Sequence, residues 1–221
     1  MFFIEFLFTL PFWQAVIYFL CFLVAIVIAM VSHEFMHAYA AVKQGDLTPK
    51  MAGRLTLNPV AHFDAFGLIC FMIAGFGWAK PVPINPMNFQ RYKKGMVLVS
   101  LAGVITNIIL AFIFVGLSIL FMAILPASEF SMYLQFFLST CAIINVYLTI
   151  FNLLPIYPLD GFSLLSTFLK YENKFVVFMQ RYGMFILLGL MITGALGWVL
   201  SFLGNGVVMG FEYFWSFVFG M

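Results

Sequence analysis

Four long stretches of this chain are almost unbroken in apolar residues, and the polar positions gather between them. The first covers Phe12 to Val31 and continues as a helical segment to about Val42. The second runs from about Met96 to Leu125, the third from about Ser131 to Leu154, ending at Pro155, and the fourth from about Phe175 to Leu203. Each meets the ~20 apolar residues a helix needs to cross hydrocarbon. Residues Ala52 to Asn88 are mixed, rich in Gly and Pro, and too broken for one clean span. The tail, Gly204 to Met221, is apolar and aromatic but short, a candidate extra, interfacial or re-entrant helix. Residues 1–11 lack a positive n-region and a small-residue cleavage site, so they read as a candidate interfacial segment rather than a removable signal peptide. The expected fold is membrane all-α: a polytopic bundle of about four to five transmembrane helices. It forms a single integral membrane domain over residues 1–221.

Composition strengthens this picture. Of 221 residues, 65% are apolar and 8% charged, with a mean hydropathy of +1.11. Soluble domains are nearer half apolar and a quarter charged, and a water-soluble globule of this size cannot cover so much apolar surface. An ordinary soluble enzyme, a disordered chain and a secreted disulfide scaffold are thereby excluded. The net charge of +2 gives no bulk attraction to nucleic acid. Cys21, Cys70 and Cys141 are scattered in apolar stretches without a CxxC pair and read as reduced packing residues.

Charge placement orients the spans. The basic residues are Lys43, Lys50, Arg54, Lys80, Arg91, Lys93, Lys94, Lys170, Lys174 and Arg181, and the predicted spans put all of them at one face. The other face holds Glu5, Glu129 and Glu212. Cytoplasmic loops carry the Lys/Arg excess, so the 43–94 and 170–181 regions are expected inside, and the 126–130 loop and the N-terminus outside.

The first span ends in Ser32-His33-Glu34-Phe35-Met36-His37-Ala38, an HExxH motif. Two histidines four apart on a helix share a face, about 6 Å apart along the axis. That is the reach for two imidazoles to bind one zinc. Glu34 beside them can take a proton from water activated there. The motif lies about 15 Å of helix before Lys43, within the inner leaflet, where ionisable groups are costly and by default functional.

A catalytic zinc usually keeps three protein ligands and one open position. One other acid stands in a suitable place: Asp160, in Asn152-Leu-Leu-Pro155-Ile-Tyr-Pro158-Leu-Asp160-Gly161. Two prolines break the helix, and irregular backbone at membrane depth is tolerated where it lines an enclosed or watered cavity. The segment reads as a helix broken to aim a carboxylate inward. The alternative is a loop Asp capping the next helix.

HEFMH in a membrane helix followed by NLLPIYPLDG resembles the site-2 protease family of intramembrane zinc metalloproteases. Gly45-Asp46-Leu47-Thr48, Gly53-Arg54 through Asn58-Pro59, His62-Phe63-Asp64, Gly77-Trp78 through Pro83, and Ala102-Gly103 with Asn107 are similar to its compact bacterial and archaeal branch, without PDZ or CBS domain. Val104 departs from the proline often found after Ala-Gly. The resemblance implies one zinc per chain, held by His33, His37 and Asp160, with Glu34 as general base and proton donor. It implies a substrate- or oxyanion-contacting role for Asn107, the alternative being a plain helix–helix hydrogen bond.

Asn152 is expected to orient the broken segment. His62 is expected as a hydrogen-bonded structural residue near the site, with Asp64 a candidate partner. The Arg54–Leu57 and Gly77–Ile84 runs are short and strand-like, either a small sheet or hairpin at the cytoplasmic side or turns covering the opening. An edge there could pair with an unwound substrate.

The expected function is an intramembrane endopeptidase cutting a membrane-protein substrate in or near a transmembrane helix (regulated intramembrane proteolysis) in a prokaryotic cell membrane, with a regulatory membrane protein as a candidate partner. The competing reading is a metal or ion transporter using the same His/Asp site. A transporter should string polar groups through several spans, whereas here they cluster at one depth.

Overall fold

The computed structural model describes residues 9–64, 67, 80–170 and 172–220. Helix α1 (Phe12–Lys43) starts directly after Pro11, and α2 covers Tyr92–Ile124. Helix α3 (Glu129–Leu153) opens on a capping box, in which Ser128 and Ser131 satisfy each other's backbone N–H, and ends just before Pro155. The short α4 (Asp160–Ser166) follows, then α5 (Lys174–Ile192), capped by the Asn173 side chain, and α6 (Ala195–Phe219). Five of these, all but α4, are long and apolar enough to cross a membrane. The α2 helix, at 33 residues, is about 50 Å long and outreaches the ~30 Å hydrocarbon layer.

Helices α1, α2 and α3 form the core, and small residues set how closely they approach. Ala25, Ala29, Ala38 and Ala41 of α1 are buried, as are Gly103 and Ala111 of α2 and Cys141 and Ala142 of α3. Between helices in lipid, close packing of such residues replaces the hydrophobic drive available in water. Glycine is required at Gly103, because a Cβ there would lie 2.5 Å from the His33 ring. Near the far end of the bundle, Tyr18 of α1 meets Tyr133 and Phe136 of α3 edge-on.

Helix α6 lies antiparallel to α3. Its Gly204 receives the Tyr147 ring, and further along Trp215 packs over Gly116 and donates from Nε1 to the Phe112 carbonyl at 2.9 Å. It therefore ends at the face that carries the α2–α3 loop. Helix α5 packs instead on the broken segment after α3: Gly183 lies against Tyr157, and Leu187 clusters with Ile156 and Leu159.

Two sequence expectations change here. The expected fourth span over Phe175–Leu203 is broken at Thr193–Gly194, where Gly194 adopts φ +73°. The tail from 204 joins residues 195–203 in one continuous helix rather than standing alone. The expected strand element is also absent among the described residues: Arg54–Leu57 is a bend, and 80–85 is extended but forms no strand. Phe63 makes an isolated β-bridge, and beside it the Lys80 N–H donates to the His62 carbonyl at 2.8 Å. Residues 77–79 of that expectation lie outside the described residues.

The loops at the basic face are tied together by Asp46, which is fully buried. Its carboxylate accepts from the Thr48 N–H (3.1 Å) and hydroxyl (2.5 Å), the Asn85 N–H (2.7 Å) and Asn88 Nδ2 (2.9 Å). Burial pushes its pKa up, but these donors outweigh burial and hold the carboxyl below its ordinary range. Asp46 thus fixes the 85–88 turn, and with it the extended segment running to α2.

Candidate metal centre

His33 and His37 lie on the inner face of α1, both buried. Each ring is held by α2 through its Nδ1. His37 Nδ1 is 2.8 Å from the Val99 carbonyl; a carbonyl only accepts, so this nitrogen carries the proton. His33 Nδ1 is 2.7 Å from Asn107 Oδ1. The Asn107 amide donates to the Ala29 carbonyl (3.1 Å) and to Asn145 Oδ1 (2.7 Å), so its oxygen is the acceptor for His33 N–H. Asn145 in turn donates to the Cys141 carbonyl at 2.8 Å. Both imidazoles are thereby set in the tautomer that leaves Nε2 unprotonated, the second-sphere arrangement usual for metal-binding histidines.

The two Nε2 atoms converge to 2.9 Å, and Asp160 Oδ2 lies 3.2 Å from His33 Nε2 and 3.1 Å from His37 Nε2. These are three acceptors facing one point with no proton between them. Asp160 Oδ2 is buried without a hydrogen-bond partner, a costly state for a carboxylate oxygen. Ligand atoms around a tetrahedral zinc with bonds of about 2.0–2.1 Å lie about 3.3 Å apart, close to the spacings seen here. The donor set and its geometry fit a zinc ion.

Asp160 reaches this point because the chain breaks after α3. Pro155 and Pro158 remove backbone donors, the Tyr157–Pro158 bond is cis, and Gly161 passes so close to Leu153 that a Cβ would lie 2.2 Å from its carbonyl oxygen. Asp160 is the first residue of α4, and its side chain makes no capping bond to the turn that follows.

The centre opens on a cavity of about 320 Å³ lined by Glu34, Ser100, Asn152 and Ser163 and by the extended segment through Pro81, Val82 and Ile84. Glu34 is half-buried on its wall. Asn152 also faces this space, while its Nδ2 donates to the Leu148 carbonyl at 3.0 Å. Asn107 does not line the cavity. It is fully buried behind His33 with both amide hydrogens engaged, so it has no donor free for an oxyanion.

His62 is buried outside this cavity, with Nε2 2.7 Å from the Thr56 carbonyl and Nδ1 without a partner among the described residues. Asp64 is not its partner: that carboxylate accepts from the Gly67 N–H. Sequence reasoning missed Asn145. Its signal was a polar residue inside an apolar run, at a position that only packing could bring beside Asn107.

A family model, Peptidase family M50, matches residues 21–190. A protein of Bacillus subtilis named as a candidate zinc metalloprotease, YwhC, is 40% identical over 180 residues, covering 80% of this chain and 82% of that protein. A similarly named candidate zinc metalloprotease of Mycolicibacterium smegmatis, Rip2, is 31% identical over 170 residues, 74% of this chain and 63% of the longer relative. No solved structure matches the chain. Between the two expectations drawn from the His/Asp site, peptidase and transporter, the matches favour the peptidase. The chain is an integral membrane protein and belongs to peptidase family M50, the site-2 protease family of zinc metallopeptidases.

Proposed function

We propose that this protein hydrolyses a peptide bond in or next to a transmembrane helix of a membrane-protein substrate, with zinc held by His33 Nε2, His37 Nε2 and Asp160 Oδ2. The observation that carries the reading is the convergence of these three unprotonated atoms, one of them an unpartnered buried carboxylate oxygen, on a cavity that also contains Glu34. Bound there, zinc supplies Lewis acidity for water and for the scissile carbonyl.

Glu34 accepts a proton from the water that attacks the carbonyl carbon and returns it to the leaving amine nitrogen as the C–N bond breaks. Asn107 acts as a positioning residue that aims His33, and Asn152, on the cavity wall, is the amide within reach of substrate.

A helical substrate has every amide paired and must unwind to be cut. The extended segment beside the cavity suits that need. Pro81 and Pro83 have no N–H, and the Val82 and Ile84 N–H groups make no backbone bond among the described residues. These donors, two residues apart in an extended chain, point the same way, so the segment offers one edge to an unwound peptide. The basic residues flank this side, which supports a cytoplasmic opening, and the bacterial relatives support residence in a bacterial cell membrane.

The test is zinc content per chain of detergent-purified protein together with cleavage of a model membrane substrate. About one zinc in the parent, much less in Asp160→Ala, and full zinc with lost cleavage in Glu34→Gln are the expected results. Zinc indifferent to Asp160, or cleavage at the parental rate by Glu34→Gln, overturns the assignment.

A further inference from the structure

The metal centre is rich in acceptors and poor in donors. The Nε2 atoms of His33 and His37 and the carboxylates of Asp160 and Glu34 all accept or ligate, and no Lys or Arg among the described residues lines the cavity. Hydrolysis also needs the opposite kind of group. As water adds to a scissile carbonyl, the C=O electron pair moves onto oxygen, and a donor aimed at that oxygen lowers the barrier. Asn107 cannot serve, since both of its amide hydrogens are engaged behind His33. The Ser163 hydroxyl donates to the Leu159 carbonyl at 3.4 Å, and one hydrogen of the Asn152 amide goes to the Leu148 carbonyl.

Ser100 differs from all of these. It is 4% exposed and lines the cavity, and its hydroxyl makes no hydrogen bond among the described residues. The other buried hydroxyls described, on Ser118, Thr149 and Thr167, are each hydrogen-bonded. A serine inside a helix often bonds back to a carbonyl in the preceding turn, as Ser32 of α1 does to Ile28 at 2.6 Å. Ser100 makes no such bond, so its O–H is uncommitted, and its oxygen is not sealed in protein. An unpartnered hydroxyl at this burial is costly, and a partner entering the cavity offsets that cost.

The place of Ser100 on α2 sets it beside the ligands. The residue before it, Val99, accepts from His37 Nδ1, and Gly103, one turn further on, lies against the His33 ring. Positions 100, 103 and 107 share one face of the helix, the face that steadies the imidazoles. The hydroxyl is therefore carried by the same rigid element that orients two ligands, and it needs no rearrangement to act. No base touches it, so it is not activated as a nucleophile.

We propose that Ser100 is a catalytic residue, whose hydroxyl donates a hydrogen bond to the scissile carbonyl oxygen as that oxygen gains charge. The inference rests on the peptidase reading above and deepens it. The oxygen of water bonds to the carbonyl carbon, and the displaced C=O pair becomes an oxyanion that accepts from the Ser100 O–H. That pair re-forms C=O as the C–N bond breaks and Glu34 delivers its proton to the amine nitrogen. Ser100 keeps its own proton throughout. An oxyanion accepts more strongly than a neutral carbonyl, so the contact favours the transition state over bound substrate.

The test compares Ser100→Ala and Ser100→Thr in the full chain, in detergent, on a model membrane substrate. Ser100 makes no bond within the described protein and alanine favours helix, so Ser100→Ala should keep its zinc content and melt no lower than the parent. Its kcat should fall about 10–100-fold, the range of one lost hydrogen bond to a charged atom, with KM little changed. Ser100→Thr, which keeps the hydroxyl, should recover most of the rate. A phosphinic peptide, whose tetrahedral anion imitates the oxyanion, should bind Ser100→Ala more weakly by the factor lost in kcat/KM, whereas a product peptide should bind both proteins alike. Parental kcat in Ser100→Ala, or a fall in kcat without a matching loss of phosphinate affinity, overturns the proposal. A parent that holds no zinc or cuts nothing fails the peptidase reading itself, and this inference with it. Where the parent cuts and Glu34→Gln does not, the Ser100→Ala result bears on Ser100 alone.

Discussion

Replacing Asn107 with leucine keeps the side chain's approximate volume and removes all of its polar contacts. Three buried groups then lose a partner: the His33 Nδ1–H, the Ala29 carbonyl and Asn145 Oδ1. The His33 ring is no longer held with Nε2 toward Asp160 and can turn or take the other tautomer. Losing such an outer-sphere partner typically lowers metal affinity 10–100-fold, which corresponds to about 1.4–2.8 kcal/mol. Asn145→Leu removes only one of the two acceptors of the Asn107 amide, whose remaining bond to Ala29 still fixes its orientation, so its effect on zinc is expected to be smaller. The double variant should bind zinc about as Asn107→Leu does, because Asn145 acts only through Asn107. Competition for zinc against a chromophoric chelator, in detergent, measures all three. An Asn107→Leu protein with parental zinc affinity, or an Asn145→Leu effect that adds in full to it, refutes the relay.

Asp46→Asn places an amide where four donors converge and should destabilise the protein by about 1–3 kcal/mol at pH 7, read by thermal unfolding. Because the folded pKa of Asp46 is depressed, its stabilisation is complete above the unfolded carboxylate value of about 3.9 and is lost as pH falls through the lower folded value. The gap between parent and variant should therefore narrow only in strong acid. Gly103→Ala drives a methyl into the His33 ring, and is expected to lower zinc content more than it lowers the melting temperature, since the ring moves more readily than two packed helices.

The long apolar runs announced three helices within a few residues, because a lipid-facing helix must be apolar over its whole crossing. The HExxH spacing and the proline-broken LDG segment pointed to the three groups that meet at the centre, because ionisable residues are scarce in such a chain and each stands out. The break at Gly194 was less legible: glycine is common in membrane helices, and nothing local separates Gly194 from Gly189 or Gly197, which remain helical. Asn107 stood out as polar, but its direction was hidden. Whether an amide faces a cavity or a neighbouring ring depends on the crossing of α1 and α2, which the small residues on both helices decide. The run at Arg54–Leu57 carried an alternation that reads as a strand, but with only four residues between Gly53 and Asn58 it is too short to decide between strand and bend, and the chain bends there.

The metal centre depends unequally on its parts. Both histidines are on one helix, and both are oriented by α2, through Val99 and Asn107, so the imidazole pair is complete once α1 and α2 pack. Asp160 belongs to a separate segment, in which Gly161 lies against Leu153 at the end of α3, α4 packs on α2, and Leu187 of α5 covers Ile156 and Leu159. The imidazole pair therefore needs only two helices in register, whereas the third ligand needs α2, the end of α3 and the proline-broken turn together. Glu34, on α1, comes with the histidines. A substitution that loosens the turn, such as one at Gly161, should then cost the carboxylate ligand before it disturbs the histidines or Glu34.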